Sequence, residues 1–410
     1  MRRELLAGLS TFFTVSYLLL LYPNILSAGG LDFGAALTAT ILTIVCSTLF
    51  LALYADFPAI LVPGLSVGPF LVYSVILQQG ASWQTALGIV FWAGIAIFLL
   101  TLFKVRQKIL LYLPLSIKTA AIAGIGLFLI CVALKDLGFP HQHVFNVPIA
   151  IALSGLILFF ILHYFQIRSA FLLAILASWL AAFLFGLAPF HGIVALPSSL
   201  SPTWFKLNFL LNFEWFGTLL TVVLIALFDT SASLTVLSKL AHKLDDKGHI
   251  KQIDKILIPD GLGSVLAGLL GTGTLCFALE SSAGIKAGGR HKWTAIIAAL
   301  SCLIGLFFHP LIASIPSFAT TPAILAIGIF MTMEIKHIKW KSITESIPAF
   351  IMIFTIPIAF SIYRGFAFGF VSYALLKGLR GEWKDVHPVC WSLAIIFAAH
   401  LSWALITHHM

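Results

Sequence analysis

Uncharged apolar runs long enough to cross about 30 Å of hydrocarbon recur along this chain from its first residues to its last. No other feature narrows the possible folds as much. A soluble globule would have to bury many such runs at once. In lipid, every backbone N–H and C=O must be satisfied within the protein, which leaves helices or closed barrels. Runs of this length and polarity predict helices, and the chain reads as an all-α polytopic protein of the lipid bilayer.

Composition agrees where it bears on partners. Of 410 residues, 60% are hydrophobic and 10% charged, too few charges to cover a soluble surface. The net charge of +9 invites a nucleic-acid reading. With the N-terminus in the cytoplasm and fourteen crossings, however, all of the 24 Lys and Arg except Lys135, Lys206 and Arg364 fall on the cytoplasmic side. That is the positive-inside pattern, a topological label rather than a binding stripe. Cys46, Cys131, Cys276, Cys302 and Cys390 lack paired spacing, so neither a disulfide framework nor a metal site is expected. Met1-Arg2-Arg3 leads straight into the first run, which reads as a retained anchor.

The first seven spans are read at Leu5–Tyr22, Gly34–Tyr54, Phe57–Gln79, Trp83–Phe103, Ile117–Leu134, Pro148–Tyr164 and Ala170–Leu187. Lys104-Val-Arg-Gln-Lys108 is taken as a basic cytoplasmic loop, and Ala188–Asn212 as a long outer one. Seven more follow at Trp215–Leu237, Ile256–Leu270, Thr272–Ala287, Thr294–Phe308, Pro322–Met333, Ile347–Phe360 and Tyr363–Lys377. Val389–Ile406 is left over, ending in His408-His409; whether it crosses or lies on the surface stays open.

Two spans cannot be continuous helices. Pro58, Pro63, Gly64, Gly68 and Pro69 interrupt the third, and Gly and Ser interrupt the tenth, LGTGTLCFALESSAGIKAGG. A short extended piece followed by a half-helix fits the third. An odd number of spans per half makes the halves inverted, and interrupted segments at matching positions point to a transporter's central site.

The acids sharpen this. Of 15 acidic residues, Asp229 and Glu280 sit well inside apolar spans, while Asp260 lies near a span end as an interfacial, cap or proton-handling residue. An intramembrane carboxylate costs about 2.5–3.5 kcal/mol even on insertion scales and is functional by default. No Lys or Arg is read as deep enough to pair with them. Such acids suit proton handling and ligands that donate N–H groups. Ser66, Gly68 and the free amides after Pro63 could face the midplane, and Tyr17, Phe70 and Phe277 are candidates to stack on a flat ring.

Two enzyme patterns fail on context. Gly64-Leu-Ser66-Val-Gly68 fits a nucleophile elbow, but no deep His serves it and Pro69 is awkward for the following helix. Gly271-Thr-Gly273 opens like a dinucleotide motif, but Cys276 stands at the third Gly and no βαβ unit surrounds it. No enzyme and no cofactor other than a coupling proton is expected.

Several stretches resemble the nucleobase/ascorbate permease family, in its AzgA-like hypoxanthine/adenine/guanine branch: Leu6-Ala-Gly-Leu-Ser-Thr-Phe12, Asn24–Ala28, Leu31–Ala35, Phe228-Asp229-Thr230, Glu280-Ser-Ser-Ala-Gly284, Ala287-Gly-Gly-Arg290, Glu345–Phe350 and Ala367–Phe370. The resemblance covers nearly the whole chain. It implies a UraA-like inverted repeat of seven plus seven spans, with short strands in the third and tenth. It further implies a core domain (1–108 and 214–309), a gate domain (109–213 and 310–380), an apolar extension (381–410) and a homodimer. It implies proton-coupled purine uptake across a bacterial inner membrane, with Asp229 and Glu280 on the base. A carrier of uracil, xanthine or an anion, a channel, and an intramembrane hydrolase are the competing readings. Where the branch typically has an Asn in the third span, this chain has Gly68-Pro69, and Cys276–Leu279 is less polar than usual.

Overall fold

The computed structural model describes residues 1–138, 146–210, 212–245 and 249–407; His408-His409 lies outside them. Arg2–Val15 (α1) and Tyr17–Ala28 (α2) form one span jointed at Ser16. It runs past Tyr22, where the sequence suggests an end. Pro23 forfeits one backbone bond, but Tyr17 through Tyr22 before it and Ile25 and Leu26 after it are buried and hold the helix through the break. Phe33–Ala55 (α3) starts at Asp32, whose carboxylate accepts from the Ala35 N–H at 2.8 Å. The third span is the expected broken one: Leu61–Pro63 (β1), then Val67–Pro69 (α4), continued by wider π turns over Phe70–Ile76.

Trp83–Leu102 (α5) follows, capped by Ser82. Lys104–Lys108 is not the loop expected. Val105–Tyr112 forms a helix (α6), and Arg106 on it is fully buried. The pattern K-V-R-Q-K hides this, because an amphipathic interfacial helix and a solvated basic loop share one composition. Leu115–Asp136 (α7), Val147–Tyr164 (α8) and Ala170–Leu184 (α9) complete the first half.

The second half mirrors this order: Phe216–Leu240 (α10), Ile253–Leu270 (α11), Leu275–Phe277 (β2) with Ser281–Lys286 (α12), and Lys292–Cys302 (α13). A short helix, His309–Ala313 (α14), precedes Ser317–Thr332 (α15), Ile343–Ile358 (α16) and Ile362–Leu379 (α17). Pro388–Thr407 is a further helix (α18). By length and composition, 7 helical stretches among the described residues could each cross a bilayer unaided. The other spans are short or broken and lean on their neighbours.

β1 and β2 pair antiparallel at the centre, Leu61 opposite Phe277, Val62 opposite Cys276 and Pro63 opposite Leu275. The ladder extends one step each way, Gly64 N–H to Thr274 C=O at 2.9 Å and Ala278 N–H to Ile60 C=O at 3.0 Å. A two-stranded sheet at membrane depth leaves outer-edge amides without partners, and these must be satisfied internally. Side-chain hydroxyls do so: Leu61 N–H donates to Thr48 Oγ1 (3.0 Å), Leu275 N–H to Ser264 Oγ (2.9 Å) and Ile60 N–H to Ser281 Oγ (3.1 Å).

The helices pack in two groups. α1–α3, α5 and α10–α13 surround the crossing strands, while α7–α9 and α15–α18 pack with one another. Small residues set the closest approaches, as expected where helix association rests on close packing. A Cβ on Gly94 of α5 would lie 2.5 Å from the Val265 nitrogen of α11, and one on Gly126 of α7 would lie 2.7 Å from the Gly328 oxygen of α15.

The leftover run is placed by its contacts. Trp391 near the start of α18 stacks on Trp383 and lies beside Gly378 at the end of α17. At the other end His400 Nδ1 meets the Tyr363 hydroxyl at 2.7 Å, at the start of α17. α18 therefore runs antiparallel to α17 from Trp391 to His400. Its far end also reaches α10, where His400 Nε2 lies 3.2 Å from the Phe213 C=O. The N-terminus sits at the opposite end of α10: Glu4 accepts from the Arg290 N–H, and Arg290 donates to the Leu240 C=O.

A candidate substrate site at the strand crossing

The strand pleat decides which side chains can meet a ligand. Successive residues of β2 point to opposite faces. Leu275 and Phe277, each 1% exposed, go into an apolar cluster with Leu61, Leu234 and Ile285, where Phe277 meets Phe57 edge-on at 5.8 Å. Phe277 thus serves the packing behind the strands, away from the stacking position considered for it. Cys276, between them, faces the other way and is partly exposed. It lies within electrostatic reach of Asp229, Asp260 and Glu280 together. Alternation along three residues is the signal that could have found it.

Each deep carboxylate has one hydroxyl donor, at opposite ends of the ladder. Ser66 Oγ donates to Asp229 Oδ1 at 3.2 Å, where β1 turns into α4. Tyr17 Oη donates to Glu280 Oε1 at 2.7 Å, where β2 gives way to α12. Tyr17 follows the joint at Ser16, and Phe171 of α9 stacks on its ring at 4.6 Å, a contact across the two helix groups that the sequence does not suggest. Asp229 and Glu280 are both partly exposed despite their depth. Phe70 is fully buried in the main apolar cluster, and Gly68 packs flat against the Tyr22 ring, where a Cβ would lie 2.8 Å from Cε2.

Asp260 is placed differently. It is 1% exposed, and Arg106 Nη2 donates to its Oδ2 at 2.6 Å. Thr230 Oγ1, on the residue after Asp229, donates to the same oxygen at 3.2 Å. Neither an interfacial nor a cap position describes Asp260: it belongs to a buried ion pair that, with Thr230, holds α6, α10 and α11 together. The deep cation Arg106 is committed to Asp260 rather than to Asp229 or Glu280.

Exposure around the site is one-sided. Tyr17–Pro23 of α2, Ser66–Val75 of the third span and Thr221–Phe228 of α10 are buried without interruption. Toward the Met1 end, Ala232, Thr235 and Val236 of α10 and Leu279 beside Glu280 are exposed. On the sealed side two bonds cross between the helix groups: Tyr73 Oη to Asp136 Oδ2 at 2.7 Å, and Gln78 Nε2 to the Ala359 C=O at 3.1 Å.

The comparisons with known proteins follow this geometry. The Permease family model matches residues 2–368. Adenine permease AdeQ of Escherichia coli is 32% identical over 97% of this chain and 92% of its own length. Guanine/hypoxanthine permease PbuO of Bacillus subtilis is 29% identical over 98% of this chain and 97% of its own. Among solved structures, the transmembrane domain of the cyanobacterial bicarbonate transporter BicA superposes with a TM-score of 0.69 at 18% identity, covering 89% of this chain and 96% of that one. That likeness establishes the UraA-like inverted-repeat fold.

Proposed function

Because this chain belongs to the Permease family, the nucleobase/ascorbate permeases its motifs resemble, we propose that it carries purine bases into the cell, driven by protons and without covalent chemistry. The observation that carries the reading is the pair of carboxylates at the two ends of one short ladder, Asp229 with Ser66 and Glu280 with Tyr17. A flat heterocycle with N–H groups on its edges fits between two such acceptors. An anion does not: the nearby buried cation, Arg106, is already neutralised by Asp260. The names of the adenine and guanine/hypoxanthine permeases support purines over other bases.

In this reading the group around the strands is the moving core, and α7–α9 with α15–α17 form the gate. The core slides against the gate and presents the site to each side in turn. The contacts of Tyr73 with Asp136 and of Gln78 with Ala359 are its outer closure in an inward-open state. Glu280 or Asp229, the two acids of the site, takes up and releases the proton. Asp260 takes a supporting role through Arg106. The chain sits in the bacterial inner membrane with its N-terminus in the cytoplasm, as a homodimer. A hydrolase is disfavoured because the hydroxyl of Ser66 is bonded to a carboxylate rather than to an imidazole base.

The test is uptake of labelled adenine, guanine and hypoxanthine by permease-deficient cells, with and without a proton uncoupler. Saturable uptake of at least one base, abolished by the uncoupler, is expected. Uptake no better than empty vector for all three would overturn the purine reading.

A further inference from the structure

Glycines in the two broken spans are mostly explained by the protein's own packing. A Cβ on Gly68 would sit 2.8 Å from the Tyr22 ring, and one on Gly273 would overlap the Tyr22 hydroxyl. A Cβ on Gly284 would overlap Thr11 Oγ1, and Gly271 has a φ of 109° that other residues rarely adopt. Gly64 has no such reason. Its φ is not among the positive ones, and an added Cβ would find its nearest atoms at 3.4 Å (Asp229 Oδ2), 3.7 Å (Thr274 O) and 3.8 Å (Cys276 Sγ). Those are ordinary contact distances. Alanine fits there, and would save the backbone entropy that glycine costs.

A glycine that folding does not require, inside a strand end, marks a place where something else approaches the backbone closely. The three atoms around the vacant Cβ position say what surrounds that approach. One is the Asp229 carboxylate, one a ladder carbonyl, and one the Cys276 thiol, the partly exposed side chain on the ligand-facing side of β2.

We infer that Gly64 and Cys276 together form the surface on which the base lies flat, and that their small size sets which bases are accepted. This deepens the purine reading and rests on it. Asp229 then meets the ring's edge at the Gly64 end, and Glu280 meets it beyond Cys276. A methyl on Gly64 would lift the ring away from the Asp229 oxygen instead of disturbing the fold. Cys276 offers a soft, polarisable contact to the ring face without a competing hydrogen bond of its own.

Gly64→Ala is the test, with Gly68→Ala as its control. Gly64→Ala should keep wild-type expression and thermal midpoint while raising KM for purine uptake roughly 10–200-fold, the usual effect of one methylene in a tight pocket. Gly68→Ala should lower the midpoint, because it meets Tyr22. An independent readout uses protein whose Cys46, Cys131, Cys302 and Cys390 are replaced by Ser. Saturating adenine should slow alkylation of Cys276 by N-ethylmaleimide at least several-fold. A Gly64→Ala protein with wild-type KM, or alkylation indifferent to adenine in transport-competent protein, overturns the inference while leaving the purine reading intact. Wild-type protein that takes up none of the bases overturns both.

Discussion

Arg106 Nη2 lies 2.6 Å from Asp260 Oδ2, with the two side chains 0% and 1% exposed. Removing one partner of such a pair strands a buried charge, at about 3–5 kcal/mol, whereas replacing both by apolar residues of similar volume is often neutral. Arg106→Met and Asp260→Leu alone should each sharply lower the thermal midpoint of the detergent-purified protein. The double variant should recover most of that loss. If it also retains uncoupler-sensitive uptake, the pair holds the helices together and carries no transported proton. A double variant no more stable than either single one would contradict the pairing.

Tyr17 donates, at 2.7 Å, the hydrogen bond that holds the Glu280 carboxyl in place. Tyr17→Phe keeps the ring that stacks on Phe171 and removes only the donor. Its KM for base uptake should rise roughly ten-fold or more, with expression unchanged. An unaltered KM from concentration-dependent initial rates would separate this tyrosine from binding.

The sealed side hangs on few bonds. Tyr73→Phe with Gln78→Ala deletes both donors that cross from the third span to α7 and the end of α16. The outer closure should weaken, so a membrane-impermeant thiol reagent added outside should label Cys276 several-fold faster. Cys276→Ser in the same background supplies the blank. Labelling at the wild-type rate would show that packing, rather than these bonds, keeps the outer side shut.

Asp56, at the Met1 end of the core beside α3, has a measurable pH signature. Burial acts to raise its pKa, but the Lys292 N–H at 2.8 Å, Lys243 and His291 outweigh it, and the carboxyl ends below its ordinary value of 3.8. A carboxylate lowered on folding stabilises above its unfolded pKa, and that contribution fades as pH falls through the folded one. Asp56→Asn should therefore lower the thermal midpoint at neutral pH, and the gap from wild type should close in strong acid, below about pH 4. A gap constant across that range would mean the carboxylate's charge contributes nothing.

Much of this is legible in the residues themselves. Proline and glycine in Phe57–Gln79 and glycine in Leu270–Gly289 announce the breaks, because no helix tolerates that density of them. The depth of Asp229 and Glu280 follows from apolar flanks alone. What stays hidden are facts of direction. Aromatic character nominates Phe277, but only the pleat, fixed by pairing with Leu61, tells that it looks backward and that Cys276 looks toward the acids. Arg106 sits in a run of basic residues that reads as solvated, since its partner lies 154 positions away and leaves no local trace. Tyr17's partner Glu280 lies far along the chain and leaves no local trace beside it.

The helix α18 unbalances an otherwise even chain. Glu4 accepts from Arg290, which donates to the Leu240 C=O at one end of α10, and His400 lies by Phe213, just ahead of the other end, so α1 and α18 meet opposite ends of that helix. With α18 as a further crossing in the proposed orientation, a fluorescent protein that matures only in the cytosol would glow when fused ahead of Met1 and stay dark when fused behind Thr407. Light at both ends would mean that α18 lies along the surface and that α17 makes the last crossing.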